Sequence, residues 1–296
     1  MSILWFGRKW LTVLVTLAIC FIVIVALSAK IHKVSSVLDY QNYAQLFVSS
    51  AVEPKQFEID WKTMNVTKLT PHQIIEYFKW SNQTSCKLTH DFGGHMLKNP
   101  SGLDGQKAVC LDDQIAPKAG RCIFYSFGIN NEWSFDETME NYGCKVYSFD
   151  PTMKVENHKH SKDVNFYNLG IADKDDGGNF KTLSSIYSML KLDHGDAIID
   201  YLKIDIEYNE WTVIPNIIQS GMLSKVRQMG IEFHLYAPAT EINWFYDRVK
   251  IVKSIEDAGM VRFDSKYNPW FNGKMPAMNN MNESLGYEIA WYQILP

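Results

Sequence analysis

The sequence predicts an α/β fold: a doubly wound, mainly parallel sheet with an antiparallel C-terminal edge hairpin, preceded by one N-terminal transmembrane helix. From Cys122 onward, short apolar runs alternate with stretches of helical period, the pattern of successive βαβ units. The last two apolar runs, Met260 to Lys266 and Tyr287 to Ile294, have no helix between them and therefore call for an antiparallel pair. Near the N-terminus, Trp10 to Ala29 carries no charge at all.

That uncharged stretch is long enough to span. Roughly 20 residues at about 1.5 Å each cross a hydrocarbon core of about 30 Å. Residues 1–9 then read as a cytosolic tail and 10–29 as a transmembrane signal anchor. Arg8 and Lys9 before it and Lys30 and Lys33 after it nearly balance, so the positive-inside rule does not fix its orientation. Ala26, Ser28 and Ala29 also suit a cleaved signal peptide, which would give a secreted protein. Both readings lead to the secretory pathway, ending in a single-pass protein of the Golgi or endoplasmic reticulum or in a secreted one. The sequons at Asn65, Asn82 and Asn282 and an even set of cysteines, Cys86, Cys110, Cys122 and Cys144, point to the same oxidising side. No Cys-x-x-Cys pair argues for zinc. With a net charge of −4 and no basic run, nucleic acid is excluded as a partner, and the lipid bilayer is expected instead.

Residues 30–69 are polar and read as a stem, leaving 70–296 as the folded lumenal body. Thr70-Pro71 caps a helix whose apolar face holds Ile74, Ile75 and Phe78. Asp104-Gly105 suggests a hairpin just before Cys110. Strands are expected at Cys122 to Phe127, Lys145 to Phe149, Asn165 to Leu169, Ile199 to Ile206 and Lys225 to Leu235. Helices are expected at Ser134 to Tyr142, Thr182 to Lys191, Glu210 to Gln219 and Thr240 to Ala258, with Trp244, Phe245 and Val249 in the core.

Chemistry in such a sheet gathers outside the carboxyl ends of the strands. One expected strand ends in Lys203, Asp205 and Glu207, with Glu210 just beyond, and its neighbour ends in Glu232 and His234. Each acidic pair has i, i+2 spacing, so residues that stay in the strand share a face. Asp205, Glu207, Glu232 and His234 could ligate Mg²⁺ or Mn²⁺. The plainer reading pairs Lys203 with a carboxylate and makes His234 structural. His234 also suits a general base, since an unperturbed imidazole titrates near pH 6.5. On the other side, Gly128 follows the first strand of the alternating region and lets the backbone approach a ligand, while Asp150 ends the next strand. Asp150 either accepts from two ribose hydroxyls or simply starts an Asp-Pro turn.

Taken in order, Gly128-Ile-Asn130, Val146-Tyr-Ser-Phe-Asp150-Pro151, Leu169-Gly170-Ile-Ala-Asp173 and Lys203-Ile-Asp205-Ile-Glu207 resemble the FkbM-type S-adenosylmethionine-dependent methyltransferases. The nearest subgroup is the membrane-anchored proteins of the methyltransferase-like protein 24 type. The resemblance covers roughly Thr70 to Pro296 and implies a Rossmann-like sheet ending in an edge hairpin. It also implies that Gly128 and Asn130 line the methionine part of the donor, Asp150 the ribose and Asp173 the adenine. Lys203, Asp205 and Glu207 fall at substrate, metal or catalytic positions, with Lys203, Asp205 and His234 as the candidate catalytic set. The chain departs from the pattern at Ser126, where the family has an acid, and at Asn131 and Glu132, where a second glycine is usual; Glu132 is then the candidate substitute acid. With the strands level at the crevice, Cys122 and Cys144 each lie six residues before it, at Gly128 and Asp150. That register favours Cys122–Cys144 and leaves Cys86–Cys110.

The expected activity is methyl transfer from S-adenosylmethionine to a hydroxyl of a secretory-pathway acceptor such as a glycan. Two alternatives stand beside it. A metal-dependent Golgi glycosyltransferase shares the layout of anchor, stem and α/β body, with Asp205-Ile206-Glu207 as its acidic motif. A non-enzymatic binding protein could retain the same fold.

Overall fold

The structure is a computed structural model that describes residues 63–98, 101–269 and 271–295. All of them lie in one compact unit, Ile59–Pro296. The expected tail and anchor, and the stem up to residue 62, fall outside the described residues; among those described, no helix is long and apolar enough to cross a membrane. Val66 and Leu69 already belong to the core, ahead of Thr70. Thr70 closes a capping box with Gln73 and opens the Pro71–Lys79 helix, which buries Ile74, Ile75 and Phe78.

The strands in chain order are β1 (Thr89–Phe92), β2 (His95–Lys98), β3 (Ser101–Asp104), β4 (Lys107–Cys110), β5 (Ile123–Phe127), β6 (Lys145–Phe149), β7 (His158–Lys159) and β8 (Val164–Tyr167). They continue as β9 (Gly170–Ile171), β10 (Phe180–Lys181), β11 (Ile199–Ile204), β12 (Val226–His234), β13 (Val261–Tyr267), β14 (Asn272–Met275), β15 (Met281–Ser284) and β16 (Gly286–Tyr292). The central sheet has 8 strands in the order β13-β16-β12-β11-β5-β6-β8-β7. From β12 to β8 the pairing is parallel, and β16 enters antiparallel between β12 and β13. The expected closing pair is therefore present, with its last strand inserted one place inside the edge. Neighbours β5 and β11 mark the switch point: the chain runs from β5 outward to β8, then returns to β11 on the other flank.

Two expectations change. Asp104-Gly105 is not a hairpin turn: the hairpin is β2–β3, pairing Lys98 with Ser101, and Gly105 leads out to β4, which pairs with β1 instead. The long loop before the last strand holds a further hairpin, β14–β15; its Asn and Gly content hides the alternation.

Period-2 alternation divides the core. Tyr125, Phe127, Tyr147, Phe149, Leu202 and Ile204 join the large cluster on one face. Phe124, Val146 and Tyr201 face the other way, against Phe135 and Met139 of the Ser134–Tyr142 helix. Ile123 pairs with Lys145, so Cys122 and Cys144 meet one step earlier, with Cα atoms 4.7 Å apart and a formed disulfide. Cys86–Cys110 is the second bridge. Replacing Cys122 and Cys144 together by alanine should lower unfolding stability by about 3 kcal/mol, read from the urea midpoint, because the bridge closes a loop spanning 22 positions.

Candidate functional site

At the carboxyl ends of β5, β6, β11 and β12 opens a cleft of about 990 Å³. Its two halves come from the two sides of the switch point.

The first half is the turn after β5. Gly128 has φ +82, and a β-carbon there would lie 1.6 Å from the Asp205 carbonyl oxygen, so only glycine fits. Asn130 and Asn131 follow at φ 44 and 61, a left-handed pair that asparagine tolerates. Asp150 fixes this turn from β6. One of its oxygens accepts from the Ile129 and Asn130 N–H groups at 2.9 and 2.8 Å, and the other from the N–H and hydroxyl of Thr152 at 2.8 and 2.6 Å. Burial works against its charge, but those bonds prevail and hold the Asp150 carboxyl below the usual range. Four accepted bonds fill a carboxylate. Asp150 is thus spent on shaping the turn, and a ribose would have to displace the Thr152 hydroxyl.

Glu132 lines the same cleft; it accepts from the Ser134 N–H at 2.9 Å and faces His95 of β2 at 3.6 Å. Asp173 does not reach the cleft. It is exposed, and its backbone carbonyl accepts from Asn216 at 2.8 Å. Gly170, Ile171 and Phe180 supply the wall expected of it, beside Pro151.

Lys203 also departs from expectation. It is buried, and its ammonium donates to the Gly128 carbonyl at 2.6 Å. The register aligns Lys203 with Ser126 and Ser126 with Ser148 across three strands. Over this row sits Asp136, accepting from Ser126 at 3.1 Å and Ser148 at 2.5 Å. Burial pushes the Asp136 carboxyl up, and Lys203 and the two serines pull it back only in part. Lys203 is therefore a tie between β11 and the turn after β5.

The second half carries the acids. β11 ends at Ile204, so Asp205 and Glu207 do not share a strand face; Glu207 and Tyr208 turn away at φ 51 and 73. Even so, Asp205, Glu207 and His234 bring ligand atoms within 4.8 Å of one another, and so do Asp205, Glu232 and Glu288. Glu232 and His234 do share a face of β12, and Glu288 stands opposite Glu232 on β16. Into the second group comes Lys107, 2.6 Å from Glu288, 3.7 Å from Asp205 and 4.0 Å from Glu232. Burial alone would lower the Lys107 ammonium, yet Glu288, Asp205 and Glu232 hold it above the usual lysine range. For Glu232, burial plus the charges of Glu288 and Asp205 pushes the carboxyl well up, with Lys107 pulling the other way. Burial also opposes charge on Asp205, but Lys107, Lys203 and His234 hold it low.

His234 is the one imidazole in the cleft that a buried acid orients. Glu210, at the start of the Glu210–Gln219 helix, faces His234 Nδ1 at 3.2 Å and also accepts from the Ile206 N–H at 3.1 Å. Nε2 is left toward the cleft, 3.6 Å from Glu207 and 3.8 Å from Glu232. Burial would lower the His234 pKa, but Glu210 outweighs it and raises the ring above its ordinary value. The imidazole can take a proton at Nε2 while Glu210 holds the ring still.

The family model described as a methyltransferase domain matches residues 56–280. The chain belongs to this methyltransferase-domain family. Among curated relatives, this methyltransferase-domain chain is 32% identical over 183 residues to the human "Probable methyltransferase-like protein 24", covering 56% of the chain and 48% of that protein. Its match to the rat protein of the same name is 30% over 149 residues, 46% of the chain and 40% of that protein. It spans about half the length of the curated relatives it matches. Among solved structures, Aeropyrum pernix fibrillarin, crystallised with natively bound S-adenosyl-L-methionine, aligns with 59% of the chain and 67% of its own at 14% identity and a TM-score of 0.34, too low to carry an argument.

Four residues of the site have no role assigned by sequence reasoning. Glu210 is visible as part of the charged burst, but nothing in the sequence marks its partner. Lys107 and Glu288 are charges inside otherwise apolar strands, and that is the signal that could have found them. Asp136 looks like an ordinary first-turn acid. Substituting Gly128 by alanine should cost about 3 kcal/mol or more, since backbone must move and the left-handed conformation is lost; the denaturant midpoint reads it.

Proposed function

We propose that the protein is an S-adenosylmethionine-dependent methyltransferase that methylates a hydroxyl of a secretory-pathway acceptor such as a glycan, with His234 as general base. The carrying observation is that the Glu210-oriented imidazole and the Gly128–Asn131 turn open into one cleft. Residues here fit the donor: a glycine cradle with no room for a β-carbon, asparagines in left-handed conformation and an apolar wall at Ile171 and Phe180. Gly128 and Asn130 would hold its methionine part and the Asp150-braced turn its ribose side. When bound, the donor supplies a methyl group on a positively charged sulfur.

The chain's own task is to hold the acceptor oxygen in line and to remove its proton. His234 Nε2 receives that proton, and Glu210 stabilises the resulting imidazolium. Nearby, Glu207 and Asn209 offer polar groups on the acceptor side, and Phe271 offers an apolar one. Support for the lumenal setting comes from the two formed disulfides and from Asn65 and Asn282, both exposed.

Calorimetry with S-adenosylmethionine and with its demethylated product should give heat with both; silence with each would sink the reading. With an acceptor in hand, His234→Gln should lower turnover about 10²–10⁴-fold. The base works in its neutral form, and its pKa is raised, so the rate should climb with pH through a midpoint above the ordinary histidine value of 6.5. Glu210→Gln should move that limb to lower pH. By the same linkage, the stability that His234 contributes is complete below about pH 6.5 and is lost as pH rises through the folded-state value.

A further inference from the structure

Oxygens of Asp205, Glu232 and Glu288 that lie within 4.8 Å of one another form the sort of cage a divalent cation takes. The ammonium of Lys107 already stands in it, on a side chain only 1% exposed and 2.6 Å from Glu288. We propose that Lys107 is the built-in cation of the acceptor wall, so that the protein uses no divalent ion there.

The backbone around Lys107 gives it no freedom to leave. Strand β4 lies outside the central sheet and is held against it at three points. Tyr201 donates its hydroxyl to the Ala108 carbonyl at 2.8 Å. Gln228 accepts from the Cys110 N–H at 2.8 Å and donates to the Cys110 carbonyl at 3.0 Å. Cys110 is also tied to Cys86 by the disulfide. A divalent ion in the cage would sit against a fixed ammonium that already takes up the same three carboxyl groups, at 2.6, 3.7 and 4.0 Å. The neighbouring group of Asp205, Glu207 and His234 draws on the same Asp205, and its Glu207 side chain is 78% exposed on a turn, 3.6 Å from His234. Lys107 thus supplies the positive charge at Glu232 and Glu288, and at the Asp205 that the second group shares.

The test is a Mn²⁺ titration of the full chain with its disulfides intact, followed by the electron paramagnetic resonance of free Mn²⁺ and by melting temperature. Wild type should bind no Mn²⁺ at this wall and show no thermal shift. Lys107→Met should create a single Mn²⁺ site, and its lowered melting temperature should rise on adding the ion. Lys107→Met combined with Asp205→Asn should lose that site. Wild-type binding that disappears with Glu288→Gln or Glu207→Gln would overturn the proposal, as would a folded Lys107→Met that binds nothing. Should Lys107→Met fail to fold without ion, the wild-type titration still decides. Because the readout is the ion alone, it stands or falls separately from methyl transfer.

Discussion

The cleft depends on how closely the turn after β5 meets the end of β11. At Gly128 the backbone is so near the Asp205 carbonyl that no side chain fits between them, and Lys203 crosses the gap to the Gly128 carbonyl. The Gly128 turn and the acid wall are consequently one junction. The junction needs a buried ammonium, and a buried ammonium needs compensation. Asp136, held in place by the serines at 126 and 148, supplies it electrostatically from the helix side. Ser126 thus donates its hydroxyl to a buried acid on the following helix.

Charge on the acid wall is arranged by the same logic. Glu232 and Glu288 stand directly opposite each other on antiparallel strands, a pairing that repels when both are ionised. The ammonium of Lys107, 2.6 Å from Glu288 and 4.0 Å from Glu232, relieves it. Asp205 and His234 then remain as the groups free to change their interactions when a ligand arrives. Both sides of the cleft also end in a left-handed pair of non-glycine residues, Asn130-Asn131 and Glu207-Tyr208. Such residues cost free energy, of order 1 kcal/mol each or more, and persist where neighbouring structure dictates them.

Much of this was legible in the chain. The alternation after Cys122 located β5, β6, β11 and β12 to within about two residues, because a strand buried on both faces writes a continuous apolar run. The level register of β5 and β6 sufficed to pair Cys122 with Cys144. What stayed hidden were relations at a distance. Nothing local distinguishes Asp173, which faces solvent, from an acid that lines a cleft. Strand periodicity could not reveal that β11 stops at Ile204 and sends Glu207 into a turn. Lys203 carried the right signal, a charge in a buried strand, but its partner is a backbone carbonyl that no sequence pattern marks.

The acid wall has a kinetic side as well. Lys107 and Glu288 are 181 positions apart, and Lys203 and Gly128 are 75. Contacts this far apart in sequence carry the largest loop-closure cost and are slow to form. Until β16 slots between β12 and β13, Lys107 lacks its nearest carboxylate, and the carboxyl end of β12 lacks its partner strand. The wall is therefore complete only once the C-terminal strand β16 has paired, so it draws on strands from both ends of the folded body.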